Sequence, residues 1–136
     1  MKVISSELCK RVVEFHGHLG PFLVLGLRAG LLANSMLGKD CFKMSAVVAT
    51  DPNPPYSCLI DGVQFVTGCT MGKGNIKFRK SKNTYMLFLK GEKKLKLSLR
   101  PSVMNSIQNA SSEKDSENLA LKLLTKPVDE LFAVEK

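Results

Sequence analysis

Tryptophan is absent from this chain of 136 residues, and aromatic residues make up only 7% of it. The core therefore has to be built from Leu, Val, Ile, Met and Phe. At this length a single domain, 1–136, with a real hydrophobic core is expected. Long apolar runs are missing too. A membrane span needs roughly 20 such residues; residues 19–32 come closest, but Gly20, Gly26, Arg28 and Gly30 fall among them. The N-terminus lacks the charged and apolar regions of a signal peptide, so a cytoplasmic chain without membrane contact is expected. No two of the four cysteines, at 9, 41, 58 and 69, are spaced as C-x-x-C, which excludes a zinc ribbon. In a reducing compartment they are not expected to form disulfides. Acids are scarce over residues 73–100: ten Lys or Arg stand against Glu92 alone, within a formal net charge of +8. A basic surface can mean nucleic acid or an anionic ligand. Here the charges alternate with apolar residues and lack an RNP-type aromatic pattern. They read as a solvated, Lys-rich sheet face, and a nucleic-acid partner is not expected.

What is present is concentrated. Both histidines lie in Phe15-His16-Gly17-His18-Leu19-Gly20-Pro21. Residues i and i+2 of an extended chain project to the same side; in a helix they would stand about 200° apart, from roughly 3.6 residues per turn. Gly17, Gly20 and Pro21 keep this backbone non-helical, so the imidazoles can converge. Imidazole is a common metal ligand and titrates near neutral pH. An H-x-H alone is a weak motif, and its bland reading is an ordinary turn. Two further polar clusters lie at the ends of apolar runs: Ser57-Cys58-Leu59-Ile60-Asp61-Gly62-Val63-Gln64 and Thr67-Gly68-Cys69-Thr70-Met71-Gly72-Lys73-Gly74-Asn75. Loops carried by a scaffold place functional groups in such positions.

Along the chain, Ser5 or Ser6 can cap a helix running to about Glu14. Pro21 opens a second helix, with Phe22, Leu25, Ala29, Leu32 and Met36 as a buried stripe and Gly38 as its C-cap. Gly26 and Gly30 would let another backbone approach closely. Residues 42–50 read as a strand, unbroken in Val47, Val48 and Ala49 and so central in its sheet. Asp51-Pro52-Asn53-Pro54-Pro55 is a stiff loop. A short helix over 57–67 carries Cys58, Asp61 and Gln64 on one face, which suggests a pocket lining; the alternative is a solvent face. Strands follow over 76–79, 84–89 and 94–99. Then come a short helix after Pro101, a polar linker at 110–114 and a last helix over 115–125. Cys9 and Cys41 read as small buried hydrophobes, unlike Cys58 and Cys69 beside the polar clusters.

Residues 68–74 invite comparison with a phosphate-binding P-loop, but the loop is one residue short and Gly74 replaces the hydroxyl residue. A general anion cradle of glycine backbone and Lys73 stays open.

Three motifs together resemble the formylmethanofuran dehydrogenase E-subunit-like family. The first is Phe15-His16-Gly17-His18 with Pro21, Gly26, Arg28 and Gly30. The second is Ser57-Cys58 with Asp61 and Gln64. The third is Thr67-Gly68-Cys69-Thr70 with Gly72-Lys73-Gly74-Asn75. The agreement covers about residues 8–101. The resemblance implies an α+β core, often dimeric, with helices packed on an antiparallel or mixed sheet. It places the chain among methanogenesis-related proteins, named for an enzyme that fixes carbon dioxide onto methanofuran with molybdenum or tungsten. Two departures stand out. Relatives carry Cys-Pro-Gly after the second His, where this chain has Gly20-Pro21-Phe22. Relatives often end in a cysteine-rich zinc finger, whereas this chain has no Cys after Cys69, so it resembles the core domain alone.

Two functions are expected. One is a metal-binding protein in which His16, His18, Cys58 and Cys69 hold zinc or another divalent transition metal, His18 being the stronger imidazole ligand and His16 its support. Cys58 and Asp61 are then the catalytic candidates, Asp61 as general base or as a partner to an imidazole. The other is an accessory module of a larger oxidoreductase complex, recognising a small or anionic cofactor through Arg28, Gln64, Thr70, Lys73 and Asn75. A homodimer is expected, because the second helix is apolar nearly all round.

Overall fold

The computed structural model describes residues 4–136. Helix α1 (Ser6–His16) starts at Ser5, whose side chain accepts from the Leu8 amide, and stops at Gly17, at φ +113. The left-handed backbone there suits glycine. Helix α2 (Pro21–Ala33) follows an extended Gly20 with Pro21 in its first turn, and nearly all its residues are buried. It runs on as one π-helical turn, Asn34–Gly38, which Gly38 closes at φ +86.

Strand β1 (Met44–Thr50) leads through a loop and a 3-10 turn (Tyr56–Cys58) into α3 (Leu59–Thr67) and β2 (Ile76–Lys80). The hairpin β3 (Tyr85–Lys90) and β4 (Lys93–Leu99) follows, then α4 (Pro101–Gln108), α5 (Glu113–Leu123), the single turn α6 (Val128–Leu131) and β5 (Phe132–Glu135). The sheet order is β2-β1-β3-β4-β5. β1 pairs in parallel with β2 and antiparallel with β3, and the remaining pairs are antiparallel. This is an α+β fold on a mixed sheet, with β1 flanked on both sides as its apolar run predicts. Alternate residues Ala46, Val48, Met86, Phe88, Leu95 and Leu97 face the core, where they meet α2, α4 and α5.

Two expectations are corrected here. The final strand β5 stands where the sequence predicts no strand: four residues carry no periodicity of their own, and pairing of Phe132 to Glu135 with β4 defines them. Gly26 and Gly30 serve no partner chain. A Cβ on Gly26 would strike the Leu59 carbonyl, one on Gly30 the Val66 side chain, and one on Gly62 the backbone of α2. The glycines let α2 and α3 of the same chain cross at close range. The apolar circumference of α2 is likewise covered within the chain. The segment Pro21–Gly38 is long and apolar enough to cross a membrane, and 67% of it is buried inside this fold.

Candidate functional site

Helix α1 packs on α3 through Phe15 and Phe65, whose ring centroids are 5.6 Å apart. Arg11 covers the same Phe65 ring. This docking sets His16, the last residue of α1, beside Asp61 in the first turn of α3. His16 Nδ1 and Asp61 Oδ2 are 2.5 Å apart. An ionised carboxylate only accepts, so the neutral tautomer of His16 that fits this contact carries its proton on Nδ1 and donates from there. Nε2 is then the acceptor nitrogen. It is buried with no partner, in a side chain only 8% exposed. A buried polar atom left without a partner is rare and costly, which marks it for explanation.

His16 lines a cavity of about 730 Å³, within the range of small-molecule sites. One wall is the turn between α1 and α2. The opposite wall comes from the end of α4 and the first turns of α5. His18 and Cys58 also face this space. The two imidazoles pack at a tilt with centroids 4.8 Å apart, and Phe22 and Tyr56 form a second ring pair at 5.1 Å. The glycine turn thus brings the histidines together as expected; His16 is the buried, carboxylate-held one and His18 is exposed. Burial raises the Cys58 thiol above its ordinary pKa, and the negative charge of Asp61 raises it further. Cys58 is therefore a neutral thiol near pH 7.

Cys69 does not join this site. It follows Gly68, the left-handed C-cap of α3, and turns into the core, where its thiol donates to the Met44 carbonyl at 3.4 Å. Burial raises its pKa. Among the cysteines it is Cys69 that is the fully buried hydrophobe, while Cys9 and Cys41 are partly exposed. Among the described residues no three His, Cys, Asp or Glu lie together as a metal ion requires.

The residues expected to hold a cofactor are placed as follows. Arg28 is buried in α2 and donates to the Leu123 carbonyl at 2.7 Å, clamping the C-terminal end of α5; desolvation lowers its pKa. Gln64 accepts from the Met71 amide and Asn75 from the Thr70 amide, both at 2.8 Å. Asn75 also donates to the carbonyls of Cys41 and Met44. The Lys73 ammonium rests on the Thr70 hydroxyl at 3.0 Å. These groups hold the loop over 68–75 against α3 and β1. Of the shared face on α3, Cys58 lines the cavity, Asp61 holds His16 and Gln64 fastens the loop.

Sequence reasoning misses the wall supplied by Ser111, Ser112, Glu113, Ser116 and Glu117. The Ser-Ser step before an acidic first turn marks a helix start but carries no sign of a site.

A model of the family described as "FmdE, Molybdenum formylmethanofuran dehydrogenase operon" matches residues 15–133. A "Probable S-adenosyl-L-methionine-binding protein" of Archaeoglobus fulgidus is 38% identical over 76 residues, which are 52% of this chain and 20% of that protein. The chain thus spans about a fifth of the length of the curated relative it matches.

Proposed function

The chain belongs to the FmdE family, and on that premise we propose that it is a small-molecule-binding accessory module of a larger oxidoreductase system, with the cavity at His16 as its working site. One observation carries this reading: Nε2 of His16 is buried and unpartnered while Asp61 holds Nδ1. A ligand group that donates a hydrogen bond, or a proton, to Nε2 removes that penalty. Asp61 orients the ring and balances any positive charge it gains, the role of a carboxylate behind a working histidine.

The contact between Asp61 and His16 is also how carboxylates support metal-bound imidazoles, and this favours a second reading with zinc or a similar ion. The donors do not fit a metal held by this chain alone. Cys69 lies in the core, no three His, Cys, Asp or Glu among the described residues lie together, and Gly20 stands where the resemblance places a cysteine. The chemistry of the module rests on His16, Asp61 and the thiol of Cys58.

A thermal-shift screen against a library of small cofactors tests the proposal. Ser116 is half-buried on the cavity wall, and Ser116→Trp fills the space. At least one compound is expected to stabilise the wild-type chain and not this variant. A screen with no hits, or with hits that Ser116→Trp leaves unchanged, overturns the proposal.

A further inference from the structure

The charges around this cavity run against those of the whole chain. The protein carries 20 Lys and Arg against 12 Asp and Glu. Among the described residues no Lys or Arg lines the cavity, while Glu113 and Glu117 do. They stand one turn apart on α5, so both carboxylates project from the same side. The N-terminus of α5 also opens here, and such an end would favour an anion. It is capped and its dipole is offset: the Ser112 hydroxyl accepts from the Asp115 amide at 3.1 Å, and Glu113 and Asp115 supply negative charge in the first turn. Cys58 adds no charge, being held as the thiol.

Two independent features point to a ligand. The His16–His18 and Phe22–Tyr56 ring pairs line the same space, and aromatic faces attract organic cations. The second feature is Nε2 of His16, an unpartnered acceptor in a side chain more than nine-tenths buried.

We propose that the cavity takes an organic cation, a small molecule with a fixed positive charge on an apolar or planar body. Its charge lies toward Glu113 and Glu117, its body against the ring pairs, and a donor group meets Nε2 of His16. This rests on the small-molecule reading above and names the ligand class for it. It differs from the small or anionic cofactor expected at Arg28, Gln64, Thr70, Lys73 and Asn75.

S-adenosylmethionine and S-adenosylhomocysteine are matched probes, sharing one body and differing in the fixed sulfonium charge. AMP presents the same nucleoside with negative charge. Each is titrated calorimetrically into the whole chain at low ionic strength. S-adenosylmethionine is expected to bind at least tenfold more tightly than S-adenosylhomocysteine, with AMP weakest. The double substitution Glu113→Gln, Glu117→Gln changes two exposed side chains, so the protein stays folded, and it should erase the preference. Equal or tighter binding of S-adenosylhomocysteine or AMP overturns the cation. So does failure of all three probes while the cofactor screen still yields hits that Ser116→Trp removes; that result spares the small-molecule reading. Absence of any such hit overturns both.

Discussion

At the scale of single residues, the fate of each reactive side chain depends on one neighbour. Asp61 is the clearest case, because it acts on two groups at once. It holds Nδ1 of His16 and, by its negative charge, adds to the burial that raises Cys58. A thiol with a raised pKa has less thiolate at a given pH, and the thiolate is the form that reacts. Replacing Asp61 with Asn removes the repulsion and leaves the burial. Iodoacetamide labelling of Cys58 at pH 8 is therefore expected to run about two- to fivefold faster in Asp61→Asn, a fraction of the tenfold that one pKa unit gives. Its pH profile should move to lower pH, and buried Cys69 should stay slow in both proteins. An unchanged Cys58 profile would show that Asp61 does not act on the thiol.

At the scale of elements, the crossing of α2 and α3 decides where the site sits. Asp61 meets His16 through the docking of α1 on α3, and α3 is in turn held against α2 with glycine on both sides of the contact. At Gly62 an added Cβ would meet the Leu23 carbonyl and the Leu27 amide. Backbone cannot yield as a flexible side chain does, so Gly62→Ala falls at the top of the overpacking range, about 3 kcal/mol. Gly72 is the control. Its added Cβ would have only the Thr70 hydroxyl, at 4.0 Å, for company, and Gly72→Ala should stay within about 0.5 kcal/mol of wild type. Urea unfolding of the two variants measures both. Equal stability would show that the helices do not need glycine to cross.

At the scale of the whole molecule, a homodimer no longer draws support from α2. The apolar surface of that helix is covered by the chain's own sheet, α3 and α5, so what supports a dimer is the family resemblance. We propose it on that basis. Light scattering at micromolar concentration is expected to give the mass of two 15.0 kDa chains; a mass of one chain removes the proposal.

Much of the fold can be read from local sequence, because the causes are local. Ser5 before α1, Pro21 at the start of α2 and the alternation of residues 94–99 act within a few positions, and each forms the element it predicts. The turn that brings His16 and His18 together follows from Gly17, Gly20 and Pro21. Which histidine is buried does not, because the answer is Asp61, 45 residues away. Cys69 and Cys58 are alike in sequence, yet one turns into the core and the other faces open space. Arg28, Gln64 and Asn75 are polar residues whose use, fastening elements together, emerges only when their partners arrive from α5, from the loop over 68–75 and from Cys41 and Met44. The far wall of the cavity comes from α5, which no local pattern ties to the histidines. Periodicity and capping act through the neighbouring turn of chain and are written in the sequence; burial, pairing and enclosure act through space, and here only the packing of α1, α3 and α5 decided them.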